Sequence, residues 1–172
     1  MKILSSDRKI GTLAYLSILV GAALLLSYIE AVIPLDFLPL PGFRIGLSNI
    51  ALTVAAFALS PWCAAAVSLA RIILVFLLFG NPTSLLFSLF GSSLVIVMLA
   101  VLRNHSHKLS FVGISILCAT VHNCGQLIAA LLLVGTAVLS YIPFLMLASL
   151  LFGSLNGIIL NLLPYKIFQL RG

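Results

Sequence analysis

The chain has 172 residues, of which 63% are hydrophobic and only 7% charged, with a formal net charge of +6 and a mean hydropathy of +1.31. Soluble domains carry roughly 25% charged residues, so the composition excludes a water-soluble domain and implies an all-α integral membrane protein. A spanning helix needs about 20 apolar residues to cross a hydrocarbon core of about 30 Å, which leaves room for about six transmembrane helices in a compact bundle and for no soluble domain beside them.

The first apolar run extends from Gly11 to Ile33 behind the basic stretch "MKILSSDRKI". Such a start resembles the basic region of a signal peptide, but no small-residue cleavage site closes the run, so it is expected to remain as the first span. Reading on between Pro, Gly and charge, spans are expected at about 47–60, 62–79, 83–102, 109–134 and 141–163. The organisation is then a cytoplasmic N-terminal segment, 1–10, one transmembrane helical domain, 11–168, and a cytoplasmic end, 169–172. With an even number of spans, Lys2, Arg8, Lys9, Arg103, Lys108, Lys166 and Arg171 share one side, Arg44 falls on the other and Arg71 lies within a span. Lys and Arg concentrate on the cytoplasmic side, so a multi-pass protein of the cell membrane with both termini cytoplasmic is expected. The positive charge reflects that orientation and gives no support to nucleic-acid binding.

The second span breaks the pattern. Its run "GLSNIALTVAAFALS" covers roughly 21 Å at 1.5 Å per residue, too little to cross alone. The apolar loop before it, with Pro34, Pro39 and Pro41 preventing helix, is expected to fold partly back into the outer half of the protein. Irregular backbone at membrane depth survives only where protein or a watery cavity satisfies it, and the combination implies an outward-facing pocket. At the junction stand Arg44, Ser48 and Asn49. Ser and Asn cap helix starts, whose unpaired N–H groups and partial positive charge favour anions. Ordinary capping and an anion site for a carboxylate or phosphate both fit.

Charged side chains inside spans are costly unless paired or facing a cavity. Glu30, near the outer end of the first span, and Arg71, in the third, are expected to pair or to reach the same ligand, a buried ion pair for helix packing being the alternative. In the fifth span "VHNCGQL" puts His122, Asn123 and Gln126 on one arc of about 100° beside Ala119 and Ala130. That face either hydrogen-bonds to neighbouring helices or lines a cavity near the midplane. Ser149, Gly153 and Gly157 in span six, and Ala23, Ser27 and Ala31 in span one, form small-residue stripes that let helices approach. They serve either the bundle itself or a partner subunit.

Several chemistries are missing. There is no GxxxxGK[ST] loop for ATP, and with Asp7, Asp36 and Glu30 as the only acidic residues no carboxylate cluster can hold Mg²⁺ on a diphosphate. His122 has no acidic neighbour in sequence and no second metal ligand at suitable spacing, so no catalytic residues, no metal site and no cofactor are assigned. The "RNHSHK" tract at 103–108 reads as a solvated loop, and Cys63, Cys118 and Cys124 as small core residues.

"PLPGFRIGLSNI", "LARIILVFLLFG" and "VHNCGQL" together resemble the Gx transporter family, also catalogued as heptaprenyl diphosphate synthase component I, over roughly residues 11–163. Pro41, Gly42, Arg44, Gly46, Asn49, Arg71, Gly80, His122, Asn123, Gly125 and Gln126 carry the motifs. Arg44 stands where lysine is expected as readily, and Ser48 where alanine is usual. The family is similar to the S-components of energy-coupling factor transporters, six-helix proteins that capture a nutrient from outside. The resemblance implies a membrane coupling subunit and partner ATPases that drive release inward. It also leaves two alternatives: an accessory membrane subunit linked to prenyl diphosphate or quinone synthesis, or a component of flavin-based electron transfer. The expected activity is binding of a small anionic molecule, vitamin-, flavin- or isoprenoid-like, by Arg44 and Arg71, with Asn49, His122, Asn123 and Gln126 supplying hydrogen bonds and Glu30 beside Arg71.

Overall fold

The computed structural model describes residues 2–32, 44–79, 82–104 and 109–168. Its helices are α1 (Lys2–Val32), α2 (Asn49–Ala58), α3 (Pro61–Phe79), α4 (Pro82–Arg103), α5 (Phe111–Val134) and α6 (Ile142–Leu162). Five of the described helical stretches are long and apolar enough to cross a membrane: Ile10–Val32, Pro61–Leu78, Pro82–Arg103, Phe111–Val134 and Thr136–Leu162. The sixth, α2, has 10 residues. The chain is an all-helical membrane bundle with one short helix, as composition implied.

Local sequence sets the boundaries. Pro61 and Pro82 stand at the first helical positions of α3 and α4, where a missing N–H costs nothing. Ser110 caps α5 by accepting the Gly113 N–H at 3.2 Å. Gly135 ends that helix at φ +88°, its N–H donating to the Leu131 carbonyl at 3.1 Å. A short 3-10 turn, Thr136–Tyr141, leads into α6. The largest departure from the apolar pattern is at the start, where α1 begins at Lys2 rather than Gly11. No proline interrupts "KILSSDRKI", so the helix continues beyond its apolar run.

Nine of the ten α2 residues are buried, and α2 touches each of the other five helices. A helix that is apolar all round belongs in a core. The outer helices expose their lipid faces instead, α1 through Leu13, Ile18, Leu25 and Ile29 and α6 through Leu147, Leu151 and Ile158. At the lower end of α2 the chain reverses through Leu59 and Ser60, whose N–H groups both donate to the Ala55 carbonyl at 3.1 Å. Arg103 caps that end by donating to the Leu59 carbonyl at 2.9 Å. Phe111 stacks on Phe168 at 4.9 Å, and the Tyr15 hydroxyl donates to the Ile167 carbonyl at 3.2 Å. The beginning of the first span and the end of the described chain therefore lie at one end of the bundle.

The α6 stripe works within the chain. A Cβ on Gly153 would lie 2.7 Å from the Ile116 Cα, and one on Gly157 2.4 Å from the Val112 Cα, so these glycines let the α5 and α6 backbones meet. Gly125 does the same towards α4, where a Cβ would lie 2.5 Å from the Phe90 carbonyl oxygen. In α1, Ala23 and Ser27 are buried and Ala31 is exposed. Cys118 is a core residue as expected, whereas Cys63 is half-buried and Cys124 is exposed on the outside of α5.

Candidate functional site

The site forms around the segment 44–48, which enters α2 at membrane depth. Arg71, packed beside it, lies about 15 Å along α3 from Pro61 at 1.5 Å per residue, near the middle of a core about 30 Å thick. Most of the expected re-entrant loop, including Pro34, Pro39, Pro41 and Gly42, lies outside the described residues, as does Gly80. The segment 44–46 has no regular structure and Gly46 adopts φ +88°, a left-handed conformation that a side chain disfavours. At membrane depth its polar backbone needs partners within the protein.

Each of the five surrounding helices supplies a partner to the segment 44–48, three of them to its backbone and two to its side chains. From α1, the Glu30 carboxylate accepts the Leu47 N–H. From α3, Arg71 donates to the Ser48 hydroxyl at 2.8 Å. From α4, the Ser84 hydroxyl accepts from Arg44 Nε at 2.8 Å. From α5, Gln126 clamps the Arg44 backbone in both directions, accepting its N–H at 3.0 Å and donating to its carbonyl at 2.8 Å. From α6, Asn156 donates to the Gly46 carbonyl at 3.1 Å. Glu30, Arg71 and Gln126, which stood out in apolar sequence, thus converge on one short segment of chain.

Arg71, 1% exposed, is held by hydroxyls: Nη1 donates to Ser27 at 3.1 Å and Ser48 at 2.8 Å, and Nη2 to Ser92 at 2.8 Å. Glu30 lies within Coulombic reach of both Arg71 and Arg44, so the three charges share one buried neighbourhood, although the hydrogen bonds of Arg71 run to serines. Ser48 occupies the cap position of α2, makes no side-chain cap hydrogen bond, and gives its hydroxyl to Arg71. Ser84, Ser88 and Ser92 form a buried stripe on α4 at intervals of four, a spacing that puts them on one helix face. That spacing was the available signal for Ser84 and Ser92, which the sequence reading passed over. For Asn156 the available signal was its place next to Gly157 in the small-residue stripe of α6.

The three polar residues of α5 divide their work. Asn123 donates to the Leu145 carbonyl at 3.1 Å and to the Ser149 hydroxyl at 2.8 Å, tying α5 to α6. Gln126 holds the loop. The His122 ring packs against Gly91, where a Cβ would approach its Cε1 and Nδ1 to 2.7 Å. The Gly91 backbone lies beside the imidazole, and neither ring nitrogen has a well-formed hydrogen bond. Asn123→Leu should therefore act on packing alone, costing about 1 kcal/mol for the lost interhelical bonds. A thermal unfolding series in detergent checks this, with ligand retention expected to stay at the wild-type level.

Several buried polar atoms are left without partners: Glu30 Oε2, Arg44 Nη1, both amide atoms of Asn49, Arg71 Nε, both ring nitrogens of His122, and Asn156 Oδ1. Buried polar groups are normally paired; these unpaired ones gather around the start of α2, and a further one, the Ser115 hydroxyl, belongs to the early part of α5. A crevice of about 10 Å³ beside Arg44 is bounded by Ile72, Val75, Phe76, Ser84 and Ser88, roughly the space of one water. The donors and acceptors suit a small polar or anionic group. Among the described residues no three of His, Cys, Asp or Glu come together in a way that could hold a metal ion.

Fold and site define a multi-pass helical membrane protein with a buried polar centre at the start of a short internal helix. The chain belongs to the family described as heptaprenyl diphosphate synthase component I, whose model matches residues 19–163. All the site residues fall within that match. Neither the curated proteins nor the solved structures contain a significant match.

Proposed function

We propose that this protein is the substrate-binding subunit of a membrane transporter, similar to an S-component, which captures a small anionic molecule from outside for uptake driven by a membrane coupling subunit and partner ATPases. The observation that carries this reading is the ring of unpaired buried polar atoms on Glu30, Arg44, Asn49, Arg71, His122 and Asn156. Discontinuous helices that begin near the midplane are a recurrent way of presenting a positive helix end to an anionic substrate group, and α2 has that form. In this reading Arg44 and Arg71 hold the anion, while Asn49 and His122 supply directional hydrogen bonds. Gln126 positions Arg44, and Asn123 keeps α5 against α6. Both termini face the cytoplasm, in keeping with the distribution of basic residues.

Gln126→Leu tests the positional role. It leaves the Arg44 N–H and carbonyl without partners, at about 1–3 kcal/mol for buried groups so exposed, and should reduce ligand retention at least about tenfold. Unchanged retention would remove α5 from the site.

A second reading has a specific observation in its favour, the family description itself: an accessory membrane component in heptaprenyl diphosphate synthesis. Binding without catalysis is proposed in either case, because three acidic residues in the whole chain supply no carboxylate cluster for metal-assisted diphosphate chemistry. Purifying the tagged protein from its own membranes in mild detergent, and identifying what accompanies it by mass spectrometry, separates the two. A membrane coupling protein with phosphate-loop ATPases is the expected result. A soluble prenyl synthase with no ATPase would overturn the transporter reading.

A further inference from the structure

Charge among the described residues of the site does not balance. Among the described residues it holds two guanidinium groups, Arg44 and Arg71, and one carboxylate, Glu30, which accepts the Leu47 N–H and lies within reach of both cations. The four serines that receive the arginine N–H groups, Ser27, Ser48, Ser84 and Ser92, satisfy donors but neutralise nothing. His122, near both guanidinium groups, adds no compensating charge. Among the described residues one positive charge is therefore left over at membrane depth, where unbalanced charge is unfavourable. It is accompanied by donors that have no acceptor, Arg44 Nη1 and Arg71 Nε.

We infer that the buried end of the ligand is a singly charged anion, a carboxylate or a phosphodiester, and not a phosphate monoester or diphosphate. This inference rests on the ligand-binding reading above and specifies its substrate class. One negative charge brings the cluster to neutrality. A phosphate monoester carries about −1.5 to −2 at pH 7, and a diphosphate more, so either would replace an excess of positive charge with an excess of negative. Glu30 then sets the charge class: its single negative charge makes the two arginines a site for one further anion instead of two.

The test uses purified protein in mild detergent at constant pH and ionic strength, with thermal unfolding read against butyrate, diethyl phosphate, succinate and pyrophosphate. Butyrate or diethyl phosphate should bind the wild type about tenfold more tightly than succinate or pyrophosphate, and whichever of the two is preferred distinguishes a free carboxylate from a lipid-type phosphodiester. Glu30→Gln keeps an acceptor for the Leu47 N–H and raises the excess charge by one, so it should reverse the order in favour of succinate. A wild type that prefers succinate or pyrophosphate would overturn the charge inference and leave ligand binding standing, as would a Glu30→Gln protein with an unchanged order. If no anion of either class shifted the wild type, both the inference and the binding reading would fall.

Discussion

Arg71→Ala is expected to give a protein that inserts and folds but no longer retains the proposed anionic ligand. Two effects on the empty protein oppose each other. Removing the guanidinium deprives the Ser27, Ser48 and Ser92 hydroxyls of a charged donor, each such bond being worth about 1.5–3 kcal/mol. It also leaves Arg44 and Glu30 as a balanced pair, which relieves the uncompensated charge, and the freed hydroxyls can turn to carbonyls of their own helices. The net loss should be about 1–2 kcal/mol, small enough for the protein to remain monodisperse in detergent. If Arg71 were instead one half of a purely structural ion pair, its removal would leave a buried carboxylate uncompensated at about 3–5 kcal/mol. A thermal midpoint measured beside ligand retention distinguishes these: loss of retention with a modest midpoint shift is expected, and a collapsed protein is the contrary result. Arg71→Lys keeps the charge but not the planar fork that reaches three hydroxyls at once, and should restore stability more than binding.

Gly157→Ala should be more damaging to the fold than any change of a polar residue in the site. The added methyl would sit 2.4 Å from the Val112 Cα and 3.0 Å from its amide nitrogen, and backbone atoms on facing helices cannot turn aside as a side-chain tip can. Overpacking typically costs about 1–3 kcal/mol, and with backbone on both sides the upper end is expected. The α5–α6 seam would open next to Asn156, so its bond to the Gly46 carbonyl should weaken and ligand retention should fall with the midpoint. Gly21→Ala is the control, because a Cβ there meets nothing within 4 Å and should leave the midpoint where it was.

Much of the architecture was legible because apolar runs, prolines and glycines act locally. The limits of α3 and α4 follow from Pro61 and Pro82, and the shortness of α2 was visible before its burial was known. Glu30 and Arg71 stood out because charge in a span is costly wherever it faces. The partners of these groups were harder to read. Serine is common in spans and only weakly polar there, so nothing in "PTSLLFSLFGSS" except its four-residue spacing marks Ser84 and Ser92 as arginine ligands, and their role depends on which helix lies opposite. The same holds for Asn123 and Gln126. Both are polar and buried on one arc of α5, yet one faces α6 and the other the loop at Arg44, a difference that lies in tertiary packing. The small-residue stripe of α6 likewise became an internal seam only once α5 was seen across it. The start of α1 at Lys2 was missed for the opposite reason, since helix continues where hydropathy ends.

The central claim is that the polar centre at the start of α2 holds an anionic small molecule. The most direct measurement is to purify wild-type and Arg71→Ala proteins side by side from native membranes, release their small molecules by denaturation, and compare them by mass spectrometry. One anionic compound is expected in near-stoichiometric amount from the wild type and none of it from the variant. The contrary result would be no such compound from the wild type, or the same amount from both.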